Sequence, residues 1–427
     1  MLMATSPLPV VQDEFLGRVL SGSRLSHPQR RHMDLLSLAM AMLEGAQCHL
    51  LHLAPLCACS PAALSRFLSR AKWDPEEEVL ARGRALWSEH CAGAPLLYHI
   101  VDDTANPHAP ASARPAFMTA PGAKEPPMEA VDLHHDHNRG RTVLAHSIVT
   151  SQLFCPLRGG LSVPWRQELY RRREECEALS IAFKSKTAIA ARFVREFKAP
   201  ATTIVHLVDS WYMNQLLLET VRSLGEGHLL VGALKSNACL AEEGGAGKGR
   251  PLQALLAKHL LNGPPRVVTA RGKEYEVVRF SGALFGQEGV AVLAVRSREA
   301  ERRRGGTREG NWRFIASANG TLPCQEILHH FLQRWQVEVG HWYLKRAFGF
   351  GDYRIRSLEG ARRFMAAAVL AHWRMEWRRL GQSEVSLART VRSVRTDLAH
   401  EQARQLVRQV REAPTYSHAL ASLRIAA

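Results

Sequence analysis

What this chain lacks already narrows its possible roles. No apolar run approaches the ~20 residues that a bilayer-crossing helix needs, so a membrane-embedded function is not expected. The first residues carry no charged segment leading into an apolar one, so no secretory signal is expected either. The eight cysteines, at 48, 57, 59, 91, 155, 176, 239 and 324, follow no regular spacing and argue against a disulfide framework. Reduced thiols in a cytoplasmic protein are the expectation. The Cys48, His49, His52, Cys57 and Cys59 neighbourhood suggests zinc but matches no paired-knuckle spacing, which leaves ordinary buried thiols. Acids are scarce as well: 40 Asp plus Glu stand against 56 Lys plus Arg, a net charge of +16.

That surplus is concentrated in the last third. Between Glu301 and Ala427 there are 22 basic and 11 acidic residues, and all but one of the 22 are arginine. Guanidinium groups suit bidentate phosphate contacts, so the balance favours a polyanionic partner. An arginine-rich genome composition is the competing explanation. At 427 residues with 46% hydrophobic content, the chain can build two or three domains with their own cores.

Residues 1–92 have helical periodicity, with Ser60-Pro61 and Asp74-Pro75-Glu76-Glu77 as helix starts. Short basic helices there suit either DNA-end binding or a lid on the core. Leu96–Val101 and Thr202–Val208 are apolar runs ended by acids, the pattern of strands buried on both faces. Thr142–Phe154 is a further strand, preceded by a polar hairpin turn at His134–Arg139. Arg166–Lys198 and Trp211–Leu224 are expected to be helical. From 225 to 320 the character is β-rich, with Gly-rich or charged turns. Helices are expected to return at 321–380, and 381–427 to form a peripheral helical region.

Acids at three places draw attention. Asp102-Asp103 and Asp209 each end a strand-like run, and Glu338 lies in a helical stretch with Arg334 and Lys345. At ~100° per residue, Arg334, Glu338 and Lys345 fall within about 40° on a continuous helix, with Phe331 nearby. The bland explanation of this face is a surface ion pair between Arg334 and Glu338, worth a few tenths of a kcal/mol. Carboxylates delivered by two strand ends and a helix could instead hold two magnesium ions over a phosphodiester.

The segment Phe331-x2-Arg334-x3-Glu338-x6-Lys345 resembles the Y-x2-R-x3-E-x6-K signature of bacterial insertion-sequence DDE transposases of the IS-four type. Val101-Asp102-Asp103-Thr104 and Leu207-Val208-Asp209-Ser210-Trp211-Tyr212 resemble the segments bearing that family's two catalytic aspartates. Ala145–Val149 resembles its second core strand. The resemblance covers about residues 60–375 in the right order.

It implies an α/β fold with an RNase H-like core, its first part at 93–224 and its second at 321–380, interrupted by the β-rich insertion. Asp103, Asp209 and Glu338 would be the catalytic, metal-binding residues, with Asp102 the alternative first acid and two Mg2+ (or Mn2+) the cofactors. Arg334, Lys345, Phe331 and Trp312 would contact DNA. The implied activity is cleavage at terminal inverted repeats and strand transfer into target DNA, by a homodimer on double-stranded DNA. No membrane and no small-molecule substrate are expected, and the protein would associate with the nucleoid when bound to DNA. Phenylalanine replaces the signature tyrosine at 331, which removes a hydroxyl and keeps the ring. Two other functions compete: a catalytically silent DNA-binding protein on this fold, and a general RNase H-like nuclease.

Overall fold

The computed structural model describes residues 14–43, 48–109, 128–136, 140–241, 249–299, 301–303, 306–308, 311–382, 385–412 and 415. Helices α1 (Glu14–Ser21), α2 (His27–Met42), α3 (Leu50–Leu56), α4 (Pro61–Ser69) and α5 (Ala81–His90) lead into β1 (Ala94–Ala109). Strands β2 (Asp132–Asp136), β3 (Arg141–Cys155) and β4 (Leu161–Tyr170) follow, then helices α6 (Arg173–Ala178) and α7 (Lys186–Arg195). After β5 (Ala201–Val208), α8 (Gln215–Ser223) and β6 (His228–Leu234) come the short β7 (Cys239–Leu240) and β8 (Arg250–Pro251), and then α9 (Leu252–Asn262). Four longer strands, β9 (Arg266–Ala270), β10 (Lys273–Leu284), β11 (Gln287–Ser297) and β14 (Arg313–Ser317), bracket the hairpin β12 (Glu301–Arg303) and β13 (Gly306–Arg308). Helices α10 (Cys324–Leu332), α11 (Trp335–Arg346), α12 (Leu358–Leu380) and α13 (Leu387–Glu412) follow among the described residues.

Two compact units result, one from residues 91–104 and 148–339, the other from 1–90, 105–147 and 340–427. The first is built on a mixed sheet in the order β3-β1-β5-β6-β14-β11-β10-β9, with β4 also pairing β3. Strands β1, β5 and β6 run parallel, with Val101 opposite Val208 and Val208 opposite Gly232. The joins from β6 through β14, β11 and β10 to β9 are all antiparallel. The segment expected to be a β-rich insertion therefore supplies β6 and then prolongs the same sheet.

Period-two alternation divides the strand residues between two apolar layers. Val101 and Val208 face a cluster with Ile189, Phe193 and Val194 of α7 and Leu217, Leu218 and Val221 of α8. Ile100 and Leu207 face the other cluster, with Ile327 and Leu328 of α10 and Val337 of α11. The α/β class expected from the sequence, a mixed sheet flanked by helices, is the one observed.

The second unit is mainly helical. Sixteen of the seventeen residues of α12 from Gly360 to Glu376 are buried, Arg362 being the exception, and the run from Phe364 to Met375 is buried on every side and rich in alanine, so that neighbours approach closely. Arg374 is buried there and pairs with Asp34 of α2 at 2.9 Å. The helix starts at Ser60 and Asp74 form as expected: Ser60 Oγ accepts from Ala63 N–H, and Asp74 Oδ1 accepts from Glu76 and Glu77 N–H. In the same unit, β2 and β3 make the expected hairpin, although its tip at 137–139 lies outside the described residues.

Three local expectations need correction. Arg166–Tyr170 belongs to strand β4, all five residues half-buried, and helix resumes only in α6 and α7. Helix α8 begins at Gln215, because Asn214 caps it by accepting from Leu217 N–H; Trp211 stays in the preceding turn. The helix expected across Phe331–Lys345 is broken at Gln333 and Arg334. There Gln333, Arg334, Gln336 and Val337 N–H groups bond three residues back, tightening the turn. The buried Gln333 side chain accepts from Arg271 at that point.

Candidate active site

Backbone register decides which side each acid faces. In the parallel β1–β5 pair, Ile100 lies opposite Leu207 and Val101 opposite Val208, so Asp102 and Asp209 each follow a paired valine. Paired residues on parallel strands point the same way, and successive residues alternate. Asp102, within β1, thus follows Ile100 toward the layer holding α10 and α11, and Asp103 turns toward α7 and α8, whereas Asp209 lies in the turn just past the end of β5.

The side chains agree with that assignment. Arg334 donates through Nη1 to Asp102 Oδ2 at 3.3 Å and through Nη2 to Glu338 Oε1 at 2.6 Å. One guanidinium therefore ties an aspartate within β1 to the helical glutamate. Asp103 instead receives Lys186 Nζ, the first residue of α7, at 2.5 Å. Asp209 accepts from Trp211 N–H at 2.9 Å and Tyr212 N–H at 3.2 Å, which fixes its carboxylate in the turn after β5.

Electrostatics sets these acids apart from surface carboxylates. Burial, and then the negative charge of Asp209, pushes Asp102 up to about 7, against the opposing pull of Asp103 N–H and Arg334. Asp209 is also raised, chiefly by burial, although its two backbone donors hold it down. The buried Tyr212 hydroxyl is raised by burial and by all three aspartates. Half-buried carboxylates gathered round Arg334 and Lys186, with two of them raised, mark a candidate functional site.

The other residues singled out in the sequence fall elsewhere. Phe331 packs, half-buried, against the α10–α11 apolar layer. Trp312 packs against the opposite layer, with the Arg296 guanidinium 5.0 Å from its ring centre. Lys345 belongs to the helical unit, where its Nζ donates to the Ala105 carbonyl at 2.7 Å. Among the described residues, no three His, Cys, Asp or Glu side chains stand close enough to hold a metal ion in this conformation.

Sequence reasoning missed Lys186. Its signal was present: a lysine at the first position of a helix capped by Ser185 opposes the helix dipole, so it implies a nearby acid.

Comparison with known proteins bears on this geometry. No curated protein matches the sequence. A solved structure similar to the chain is the cryo-EM structure of a piggyBac transposase synaptic complex with hairpin DNA. It is 11% identical with a TM-score of 0.37, over 83% of this chain and 62% of that one, a likeness too slight to argue from. The family model of the DDE superfamily endonucleases matches residues 23–270, a span that includes Asp102, Asp103, Lys186 and Asp209 and stops before Arg334 and Glu338. With more than half of its residues so matched, the chain belongs to the DDE superfamily endonucleases.

Proposed function

We propose that this protein is a transposase that cuts DNA at the inverted-repeat ends of its own element and joins them to target DNA. The observation that carries this is the Arg334 bridge between Asp102 and Glu338, with Asp209 one residue past Val208, the partner of Val101. Family membership supports the endonuclease step. The IS-four-type branch is proposed from the Arg334, Glu338 and Lys345 spacing.

The donor set fits Mg2+ or Mn2+: carboxylate oxygens suit hard cations, and burial with mutual repulsion is a cost that a divalent cation would relieve. Asp102, Asp209 and Glu338 would hold the ions. Asp103, favoured by the resemblance, is the alternative to Asp102. When bound, such a pair supplies an activated water and stabilises the leaving oxygen. Arg334 neutralises Asp102 and Glu338 in the DNA-free chain and turns to a phosphate in the complex, where a guanidinium offers paired donors. Lys186 holds Asp103 to the α7 side and keeps it from competing with Asp102. Lys345 contributes a second phosphate contact.

Residues 1–92 bind the ends, and the excess of arginine over acid steers the DNA. Synapsis takes two protomers, one per end, in the cytoplasm at the nucleoid. The test is cleavage of a fragment carrying the inverted repeats that flank the gene. Cuts at the repeat ends that need Mg2+ and vanish with Asp209→Asn are expected. End binding by the wild-type chain without any cleavage would leave only a DNA-binding protein.

A further inference from the structure

Two tryptophans of the sheet unit are exposed among its described residues, Trp211 at 58% and Trp335 at 60%, and both sit beside proposed acids. Isolated exposed apolar side chains are ordinary on a protein surface. Trp211 is not isolated in its chemistry. Its backbone N–H donates to Asp209 Oδ1, so the carboxylate that ends β5 also fixes the turn that presents the indole. Met213 N–H closes that turn onto the Asp209 carbonyl at 3.2 Å. Lys235, the residue after β6, sets its ammonium 5.0 Å from the indole centre. The carboxyl ends of β5 and β6 are neighbours, with Val208 opposite Gly232, so acid, indole and ammonium share one edge of the parallel sheet.

We propose that Trp211 and Lys235 form a nucleotide subsite in which an unpaired base stacks on the indole while the lysine meets its phosphate. The subsite rests on the function proposed above and gives it a substrate preference: DNA whose strands are parted next to the cut. One face of the indole carries a cation, and the ring is more than half exposed, which leaves the other face for a base. An aromatic platform backed by positive charge binds single strands without regard to sequence, because every base has a π-face. The carboxylates nearby would repel a backbone, and Lys235 offsets that repulsion where the strand passes. Trp335, at the start of α11 and three residues before Glu338, offers a second ring on the helical side of the acids.

The experiment measures binding by fluorescence anisotropy, using the full chain in calcium. The probes are a labelled twelve-nucleotide oligothymidylate and a thirty-base-pair duplex of mixed sequence. Trp211→Ala is expected to weaken oligothymidylate binding about tenfold, in line with the loss of one stacked base, and to change duplex binding less than twofold. Trp211→Phe, which keeps a ring, should restore most of the loss. Lys235→Gln should lower the slope of log affinity against log salt by about 0.7, the value for one single-strand phosphate contact.

Trp211→Ala binding oligothymidylate as wild type does would overturn the subsite, whatever the cleavage assay shows. So would an equal loss on both probes, since that marks general DNA contact. Asp209→Asn separates this from the parent proposal: it should abolish cleavage and leave the Trp211-dependent difference between probes intact. Cleavage surviving Asp209→Asn would sink the transposase chemistry and not the stacking.

Discussion

Strands β1, β5 and β6 carry two groups of titratable side chains, and they solve burial in opposite ways. In mid-sheet, His99 Nδ1 shares a hydrogen bond with His206 Nδ1 at 3.1 Å, and His206 Nε2 with His228 Nδ1 at 3.0 Å. Phe197 stacks on His99 at 4.3 Å. Burial holds all three imidazoles below their usual range, His99 at about 3, so the row stays neutral and its hydrogen bonds are internal. Further along, burial and Asp209 raise Asp102, while burial and Asp103 raise Asp209, and Arg334 opposes both shifts. Neutral groups that bond to one another belong to the fold. Carboxylates crowded round one shared guanidinium belong to a site.

Breaking the second group should have the largest effect. Asp209→Asn and Glu338→Gln are each expected to lower end cleavage at least about a thousandfold, ~4 kcal/mol of transition-state stabilisation, in a strand-nicking assay. End binding in a gel shift should persist. Chelating the divalent ions should match that loss in the wild-type chain. The comparison sharpens with the neighbouring aspartates. Asp102→Asn should match Asp209→Asn, and Asp103→Asn should cost less than about tenfold, as expected for a residue acting through position. The reverse order would move the first ligand to Asp103.

The histidine row is expected to govern acid stability. Because the folded chain holds these imidazoles below the unfolded value near 6.5, the unfolded chain takes up more protons as pH falls, and stability falls with it. Each histidine kept neutral costs about 1.4 kcal/mol per pH unit below 6.5. The drop in urea midpoint between pH 7.5 and 5.0 should shrink by more than half in the double variant His99→Leu/His206→Leu. An unchanged drop would mean that other groups set the acid limit. Lys345→Met should have the smallest effect, weakening DNA binding evenly across sequences and lowering the duplex salt slope by about 0.9.

How much of this was legible in the residues depends on which interactions are local. Leu96–Val101 and Thr202–Val208 announce themselves as buried strands, although the first does not end at its acids but continues through Asp102 and Asp103 to Ala109, and Ser60 and Asp74 mark helix starts, because these signals lie within a few residues. Register does not. Whether Asp102 or Asp103 faces the glutamate depends on β1 pairing with β5, a contact about a hundred residues apart in the chain, and one step of slip exchanges them. Composition identified strands from 225 to 320 and could not reveal that they extend one sheet. The break at Gln333 also escaped detection, because the buried side-chain contact to Arg271 comes from β9–β10, far from α10 in sequence. Helix α9 lay unread between two strands.

The most direct test of the carboxylate site is local cutting of the polypeptide by bound iron. Fe2+ with ascorbate, replacing Mg2+, generates radicals that cleave backbone near the ion. The account predicts fragments ending near residues 102, 209 and 338, suppressed by excess Mg2+ and absent in Asp209→Asn. Fragments mapping elsewhere, or cutting that Asp209→Asn leaves unchanged, would contradict it.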